Sequence, residues 1–329
     1  MAYLCSMISK DLILSPIKTE MEEFEVRFKT SMQSDVSLLE KINHYIIKKK
    51  GKQIRPMFVF LTSKMLGEHS EKCFDAAILI ELLHTATLVH DDVVDDANER
   101  RGAFSINALW KNKIAVLVGD FMLSKILLLS LEKNNASLLE IIARSVKEMS
   151  EGELLQIEKA RLLDITEDVY YEIIKKKTAS LIASCCEIGA AAVGDYENRK
   201  LMREFGENIG IAFQIKDDIF DYGNDPEIGK PTGADIREGK LTLPIIYVLN
   251  NAPKKIQNEL FSIIKNNNQN NKKIKRAIDL VVKYKGISYA SEKMNYFTNK
   301  ALSLIENYPE NEAKKALKAL VKYTINREK

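Results

Sequence analysis

Apolar residues recur at three- and four-residue spacing over long tracts of the chain. Ala76, Ala77, Ile80, Leu83 and Leu88 form one such series, and the runs Leu138–Leu155 and Ile173–Ala192 repeat the pattern. This is the period of a helix with a face in a core. No segment alternates apolar and polar residues between hairpin turns, so strands are not expected. None of the seven prolines falls between Met57 and Asp225. Proline is the strongest helix breaker, so that tract accommodates a series of long helices. The pattern predicts a single all-α domain over residues 1–329, with residues 1–20 at its periphery. Breaks are expected at Gly67–Ser70, Arg101–Gly102, Asn134–Ala136, Gly194–Asn198 and Gly223–Gly239. The asparagine-rich run Lys265–Lys273 reads as a mobile polar loop.

Composition narrows the class. Hydrophobic residues make up 46% of the 329 residues and charged residues 29%, the balance of a globular protein. With 14 glycines and 7 prolines the chain is too poor in turn formers for a sandwich or barrel. A net charge of +3 gives nucleic-acid binding no support. Residues 1–20 lack the basic start and apolar run of a signal peptide. The most apolar stretch, Ile114–Leu131, is interrupted by Asp120 and Lys125, so a membrane span is not expected. Cys5, Cys73, Cys185 and Cys186 fit neither a zinc site nor a disulfide framework, and Cys185 and Cys186 read as small core residues. A reduced, cytoplasmic protein is expected. The last twenty residues are lysine-rich and amphipathic. A solvated helix face is the favoured reading there over a membrane-binding one.

Two clusters of acids change the picture. Asp91, Asp92 and Asp95 form one DDxxD, followed by Asp96, and Asp217, Asp218 and Asp221 form another. On a helix the first and fifth residues share a face, one turn apart. Both clusters close an apolar run, where acids oppose the helix dipole. Two carboxylates about 6 Å apart repel by roughly 3 kcal/mol at an effective dielectric of 20. Hard divalent cations offset such repulsion, and oxygen-only ligands point to Mg²⁺. A solvated acidic helix end explains one DDxxD; it explains two at matching helix ends less well. Mg²⁺ commonly bridges carboxylates to phosphate oxygens, so a phosphate ester is the expected ligand.

Cations for such a ligand lie nearby in the sequence. Arg100 and Arg101 follow the first cluster. Lys52 and Arg55 stand in the run GKQIRP, and His84 precedes Asp91 by two helical turns. Lys177 and Thr178 interrupt another apolar helix, and Gln214 lies three residues before Asp217. Lys230 and Lys240 follow the second cluster. Each alone has a bland reading as a core histidine or a solvated charge; their order along the chain does not.

Together the pieces GKQIRP, LLHTATLVHDDVVDDANERRG, KKKTA, FQIKDDIFDYG and GKPTGADIREGKLTLP resemble the trans-prenyltransferases, the polyprenyl diphosphate synthases of the isoprenoid synthase class. The resemblance covers about Gly51 to Ile246. It departs from the usual GGKRxRP opening at Lys50 and Gln53. It implies a helical bundle around a deep cavity with the two acidic motifs facing across its mouth, and a homodimer. It implies that Lys52, Arg55, His84 and Arg101 bind isopentenyl diphosphate. Asp91, Asp92, Asp95, Asp217, Asp218 and Asp221 would hold Mg²⁺, three ions with substrate bound. Arg100, Lys177, Gln214 and Lys230 would meet the allylic diphosphate, and Thr178 and Gln214 would line the carbocation, making Lys177, Thr178 and Gln214 the catalytic set.

The chemistry expected is ionisation of the allylic C–O bond, attack by the isopentenyl double bond and loss of a proton, with the released diphosphate as base. Product length should depend on Leu83, Ala86 and Thr87, one to two turns before the first cluster. Short-chain relatives often carry an aromatic ring four or five residues before the first aspartate. Thr87 and Ala86 stand there, so a hexaprenyl-to-decaprenyl product is expected, with transient membrane contact for its release. Other readings are a short-chain synthase, a non-catalytic regulatory subunit, a terpene cyclase and a Mg²⁺-dependent phosphate-ester hydrolase. Cyclases typically replace the second DDxxD by an Asn/Asp–Ser/Thr–Glu pattern, and regulatory subunits usually lose one acidic motif. Both motifs are intact here.

Overall fold

The computed structural model describes residues 10–67, 69–100, 102–223 and 233–326. Those residues are helical almost throughout and fall into two compact units. The first unit comprises Met1–Val146, Ser184–Arg203 and Tyr308–Leu320. The second comprises Lys147–Ala183, Glu204–Asn307 and Val321–Lys329.

The first unit opens with α1 (Lys18–Ser31), α2 (Ser37–Lys48), α3 (Ile54–Leu66) and α4 (Glu71–Val94). Phe24, Phe58, Phe60, Leu79, Ile80 and Leu82 are fully buried and form its core. Helix α4 buries residues around its whole circumference, as expected of a helix apolar on every side. Beyond it come a two-stranded hairpin, β1 (Glu99–Arg100) and β2 (Ala103–Phe104), and α5 (Ile106–Trp110). The strands are antiparallel, with Arg100 opposite Ala103. Among the described residues this hairpin is the sheet that the periodicity missed, and two residues per strand leave no alternation to detect. Ser105 caps α5 by accepting from the Ala108 amide at 3.3 Å.

Helix α6 (Asn112–Glu132) carries the most apolar stretch of the sequence, Ile114–Leu131. By length and composition both α4 and α6 are apolar enough to cross a bilayer, because Asp120 and Lys125 are too few to offset the leucines around them. Helix α4 is mostly buried. The most apolar window of α6 is only 33% buried, and Val116, Leu117, Leu127, Leu128 and Leu131 are exposed.

Helix α7 (Ala136–Leu162) passes into the second unit at Lys147. There follow α8 (Glu167–Ile174), a π-helical turn (Lys175–Ala179), α9 (Ser180–Ala192) and α10 (Arg199–Phe220). Cys185 and Cys186 are buried in α9, as expected; Cys5 lies outside the described residues. The chain continues through α11 (Ala234–Arg237), α12 (Leu243–Asn251), α13 (Lys254–Asn266), α14 (Asn271–Lys283), α15 (Gly286–Leu304) and α16 (Glu312–Asn326). Tyr170, Ile215, Ile236, Leu243, Leu260 and Val281 sit in the second core.

The asparagine-rich run is not the nine-residue loop that its composition suggests. Only residues 267–270 lie outside α13 and α14. Asn270 caps α14 by accepting from the amides of Lys272 and Lys273 at 3.0 and 3.2 Å. Asn268 and Gln269 donate to the Arg237 carbonyl at 2.9 and 3.0 Å. Asparagine favours caps for the same reason it favours loops, because its short amide bonds to nearby backbone.

Candidate active site

In the first unit, the last turn of α4 carries the first acidic cluster. The helix ends where Asp95 donates its amide to the Asp91 carbonyl at 2.8 Å and Asp96 turns to a left-handed φ of 50°. Asp92 is buried, Asp91 half-buried and Asp95 exposed. The hairpin returns Arg100 to the cluster, where its Nε donates to Asp92 Oδ1 at 2.6 Å. A bond this short between ionised partners is of the strong, charge-assisted kind. Asn107 Nδ2 donates to the Asp92 carbonyl at 3.1 Å, tying α5 to the end of α4.

Two turns back along α4, His84 Nε2 lies 2.9 Å from Arg55 Nη1. Arginine offers only donors, so Nε2 is the acceptor in this contact. Arg55 is in the first turn of α3. That turn is entered through Gln53 at a left-handed φ of 52°, and Lys52 just before it is exposed. A cavity of about 390 Å³ opens beside this group, lined by Ile46, Gln53, His84, Leu88, Asp92 and Arg100 among others. Leu83 and Ala86 are fully buried and Thr87 is half-buried; none of the three lines that cavity. Arg101 lies outside the described residues.

In the second unit, the π turn Lys175–Ala179 sets Lys177 and Thr178 against α7 and α10. Close approach of backbone makes it possible. A Cβ on Gly152 of α7 would stand 2.5 Å from the Lys177 nitrogen, and one on Gly210 of α10 would stand 2.4 Å from Ala179 Cα. Neither position tolerates a side chain without backbone movement. Lys177 pairs with Glu153, the next residue of α7. Thr178 Oγ1 donates to Gln214 Oε1 at 2.8 Å, and Gln214 Nε2 donates to Asp218 Oδ1 at 2.9 Å. Tyr170 OH donates to the other Asp218 oxygen at 2.7 Å. A cavity of about 120 Å³ is lined by Tyr170, Lys177, Thr178, Gln214, Asp218 and Lys240 among others.

Asp221, one turn on, accepts from the amides of Ala234 and Asp235 at 2.8 and 3.0 Å, so it holds the first turn of α11. Asp235 is thereby drawn into the second cluster. Burial, then repulsion from Asp235, pushes the Asp218 carboxyl up to about 8, against hydrogen bonds from Tyr170 and Gln214. Burial, then Asp221, pushes Asp235 up to about 7, against the attraction of Lys240. Asp221 is also raised by burial, opposed by the amides it accepts. Lys230 lies outside the described residues.

These donors suit a hard divalent cation. The second cluster packs carboxylates into surroundings that disfavour their charge, and a divalent ion would offset that penalty. Among the described residues no three His, Cys, Asp or Glu side chains come together as a ready-made set of metal ligands.

The structure adds partners that sequence reasoning passed over. Asp235 stands in the run GKPTGADIREGK but had no assigned role. Tyr170 lies seven residues before Lys177, the spacing that singled out His84 before Asp91. Glu153 and Asn107 carried no signal, because their partners are distant in sequence.

Comparison with known proteins places the chain. A family model described as polyprenyl synthetase matches residues 36–281. The chain is 34% identical over 325 residues to the all-trans-nonaprenyl-diphosphate synthase (geranyl-diphosphate specific) of Rhodobacter capsulatus, covering 97% of this chain and 98% of that one. It is 33% identical to the geranylgeranyl diphosphate synthase of Saccharolobus solfataricus, over 92% of this chain and 94% of the other. The crystal structure of a decaprenyl diphosphate synthase from Rhodobacter capsulatus superposes with a TM-score of 0.90 at 32% identity, covering 97% and 99% of the two chains.

Proposed function

This chain belongs to the polyprenyl synthetase family, with its all-α isoprenoid-synthase fold, and is a trans-prenyltransferase; we propose that it condenses isopentenyl diphosphate with an allylic diphosphate to make a long all-trans product, hexaprenyl to decaprenyl. The observation that carries the site assignment is the ordered chain Thr178–Gln214–Asp218 beside Lys177, built on a π turn. π turns of this kind recur at functional positions.

The roles follow from chemistry. Lys52, Arg55, His84 and Arg101 would take the isopentenyl diphosphate, with Arg55 offering a fixed positive charge beside His84. Arg100, Lys177, Gln214 and Lys230 would receive the allylic diphosphate. Its C–O bond breaks heterolytically, and the cations stabilise the charge that develops on the leaving oxygen. Thr178 and Gln214 present oxygen lone pairs to the allylic carbon without forming a bond to it. The isopentenyl double bond attacks that carbon, and the released diphosphate accepts the proton that is lost. Asp91, Asp92, Asp95, Asp217, Asp218 and Asp221 would hold Mg²⁺, three ions when substrate is present. Bound Mg²⁺ supplies the further positive charge that stabilises the departing diphosphate.

Small side chains at Ala86 and Thr87 support the long product. The exposed leucines and valines of α6 support a homodimer, since exposed apolar side chains on one helix face favour association. Release of so apolar a product would bring the protein into transient contact with a membrane. Free buried thiols at Cys73, Cys185 and Cys186 are in keeping with a reducing cytoplasm.

The test is a product assay with purified protein, Mg²⁺, labelled isopentenyl diphosphate and farnesyl diphosphate, sized by mass spectrometry. A ladder ending at six to ten prenyl units is expected, and a chelator should abolish it. A stop at geranylgeranyl diphosphate would keep the reaction and remove the long-chain assignment. Ala86→Phe is expected to shorten the main product by several prenyl units; an unchanged distribution would place the chain-length floor elsewhere.

A further inference from the structure

Tyr170 belongs to none of the motifs that carry the resemblance, yet its hydroxyl reaches the second acidic cluster. It lies on α8, two turns before Lys177 of the π turn, and its ring is buried in the core of the second unit. Its hydroxyl donates to Asp218 Oδ2 at 2.7 Å, while Gln214 Nε2 donates to Asp218 Oδ1 at 2.9 Å. Both oxygens of one buried carboxylate are thus held by donors from two helices.

The consequence reaches the atoms that would face the substrate. With Nε2 committed to Asp218, the Gln214 amide has a fixed orientation, and Oε1 turns to Thr178. Thr178 has one hydroxyl hydrogen and donates it to Oε1 at 2.8 Å. Its remaining lone pairs are the only polar feature it offers to the cavity, which it lines together with Gln214. An amide turned the other way would set Oε1 against the carboxylate and Nε2 against Thr178. A donor would then be aimed where a cationic carbon has to form.

We propose that Tyr170 is a positioning residue: through Asp218 it fixes the Gln214 amide, and through Gln214 it keeps Thr178 an acceptor toward the allylic cation. The inference rests on the prenyl-transfer reading above and adds to it a residue that no motif assigns.

Tyr170→Phe removes the hydroxyl and keeps the ring in its packing. It should lower kcat by about 10–100-fold, the usual range for a residue that orients another. The KM for isopentenyl diphosphate should stay within about 2-fold, since the lost interaction acts on the transition state. A second readout is where the allylic cation goes. A poorly held cation is captured by water, whose oxygen bonds to the allylic carbon as the proton leaves, giving farnesol from farnesyl diphosphate. The ratio of farnesol to condensed product should therefore rise in Tyr170→Phe, whereas a merely destabilised fold lowers both together.

A double-mutant cycle with Gln214→Ala completes the test. The pair should be no worse than the more impaired single variant. The same cycle should be non-additive in denaturant unfolding of the substrate-free protein, which reads the hydrogen-bond chain without any turnover. Additive losses in both measurements, or a Tyr170→Phe enzyme with unchanged kcat and farnesol ratio, would overturn the inference. Wild-type protein that makes no polyprenyl product would overturn the reaction reading instead. In that case the unfolding cycle still decides whether the chain from Tyr170 to Gln214 is coupled.

Discussion

Asp91→Asn is expected to lower kcat by about 10³-fold, the scale seen when one preorganised electrostatic group is removed from a reacting centre. Asparagine keeps the shape and removes the charge. Asp91 is half-buried at the end of α4, and its carbonyl still accepts the Asp95 amide that closes the helix. The unfolding midpoint should therefore move by no more than a degree or two, as for other substitutions that leave packing alone. Raising Mg²⁺ should recover part of the loss if the carboxylate serves the metal. Asp96→Asn is the matching control. Asp96 is exposed at a left-handed φ that asparagine adopts readily, so activity and stability should both be retained. Equal activity in Asp91→Asn and wild type would remove the first cluster from the reaction.

The second large effect is expected from a residue with no side chain. Gly152→Ala sets a Cβ 2.5 Å from the Lys177 nitrogen and 3.0 Å from the Lys176 carbonyl carbon. Backbone stands in the way, so α7 and the π turn have to part. Overpacking of this kind destabilises by about 1–3 kcal/mol, which lowers the melting midpoint by several degrees. Activity should suffer more. A shift of about 1 Å at a positioning group can reduce turnover about 10²-fold, and Lys177 and Thr178 both ride on that turn. Activity and melting measurements on the one variant check both statements. A variant that keeps full activity while melting early would separate the packing role of Gly152 from the site.

The parts of the site that were legible in the sequence are those whose residues are neighbours along the chain. The end of α4 is an example. His84, Asp91, Asp92 and Arg100 lie within seventeen consecutive residues, and helical periodicity alone puts His84 and Asp91 on one face. The KKKTA run was legible only as an interruption. Three lysines read as a solvated helix face, and the glycines that let other helices approach the π turn are far from it in sequence. Asp235 shows the same limit: its motif was visible, but its place beside Asp221 depends on how α10 and α11 meet. Composition also misled where one residue type serves two ends. Asn270 caps a helix, and Asp120 and Lys125 are too sparse to make the middle of α6 polar.

The π turn also bears on how this gene can change. An α-helical turn takes 3.6 residues and a π turn closes its bond one residue further on. The segment Lys175–Ala179 therefore accommodates one residue more than a regular helix of the same rise. Loss of a single codon there would let the helix run on undisturbed in its hydrogen bonding, so the fold itself would offer little resistance. The helices on either side would keep their faces, because the turn had absorbed the extra residue, but the widened stretch of backbone that presents Lys177 and Thr178 would close. Thr178 could then no longer be held at its present place opposite Gln214. Point substitutions in this stretch can be gradual in effect, but changes in its length cannot, and descent within the family should keep its residue count even where the residues themselves drift.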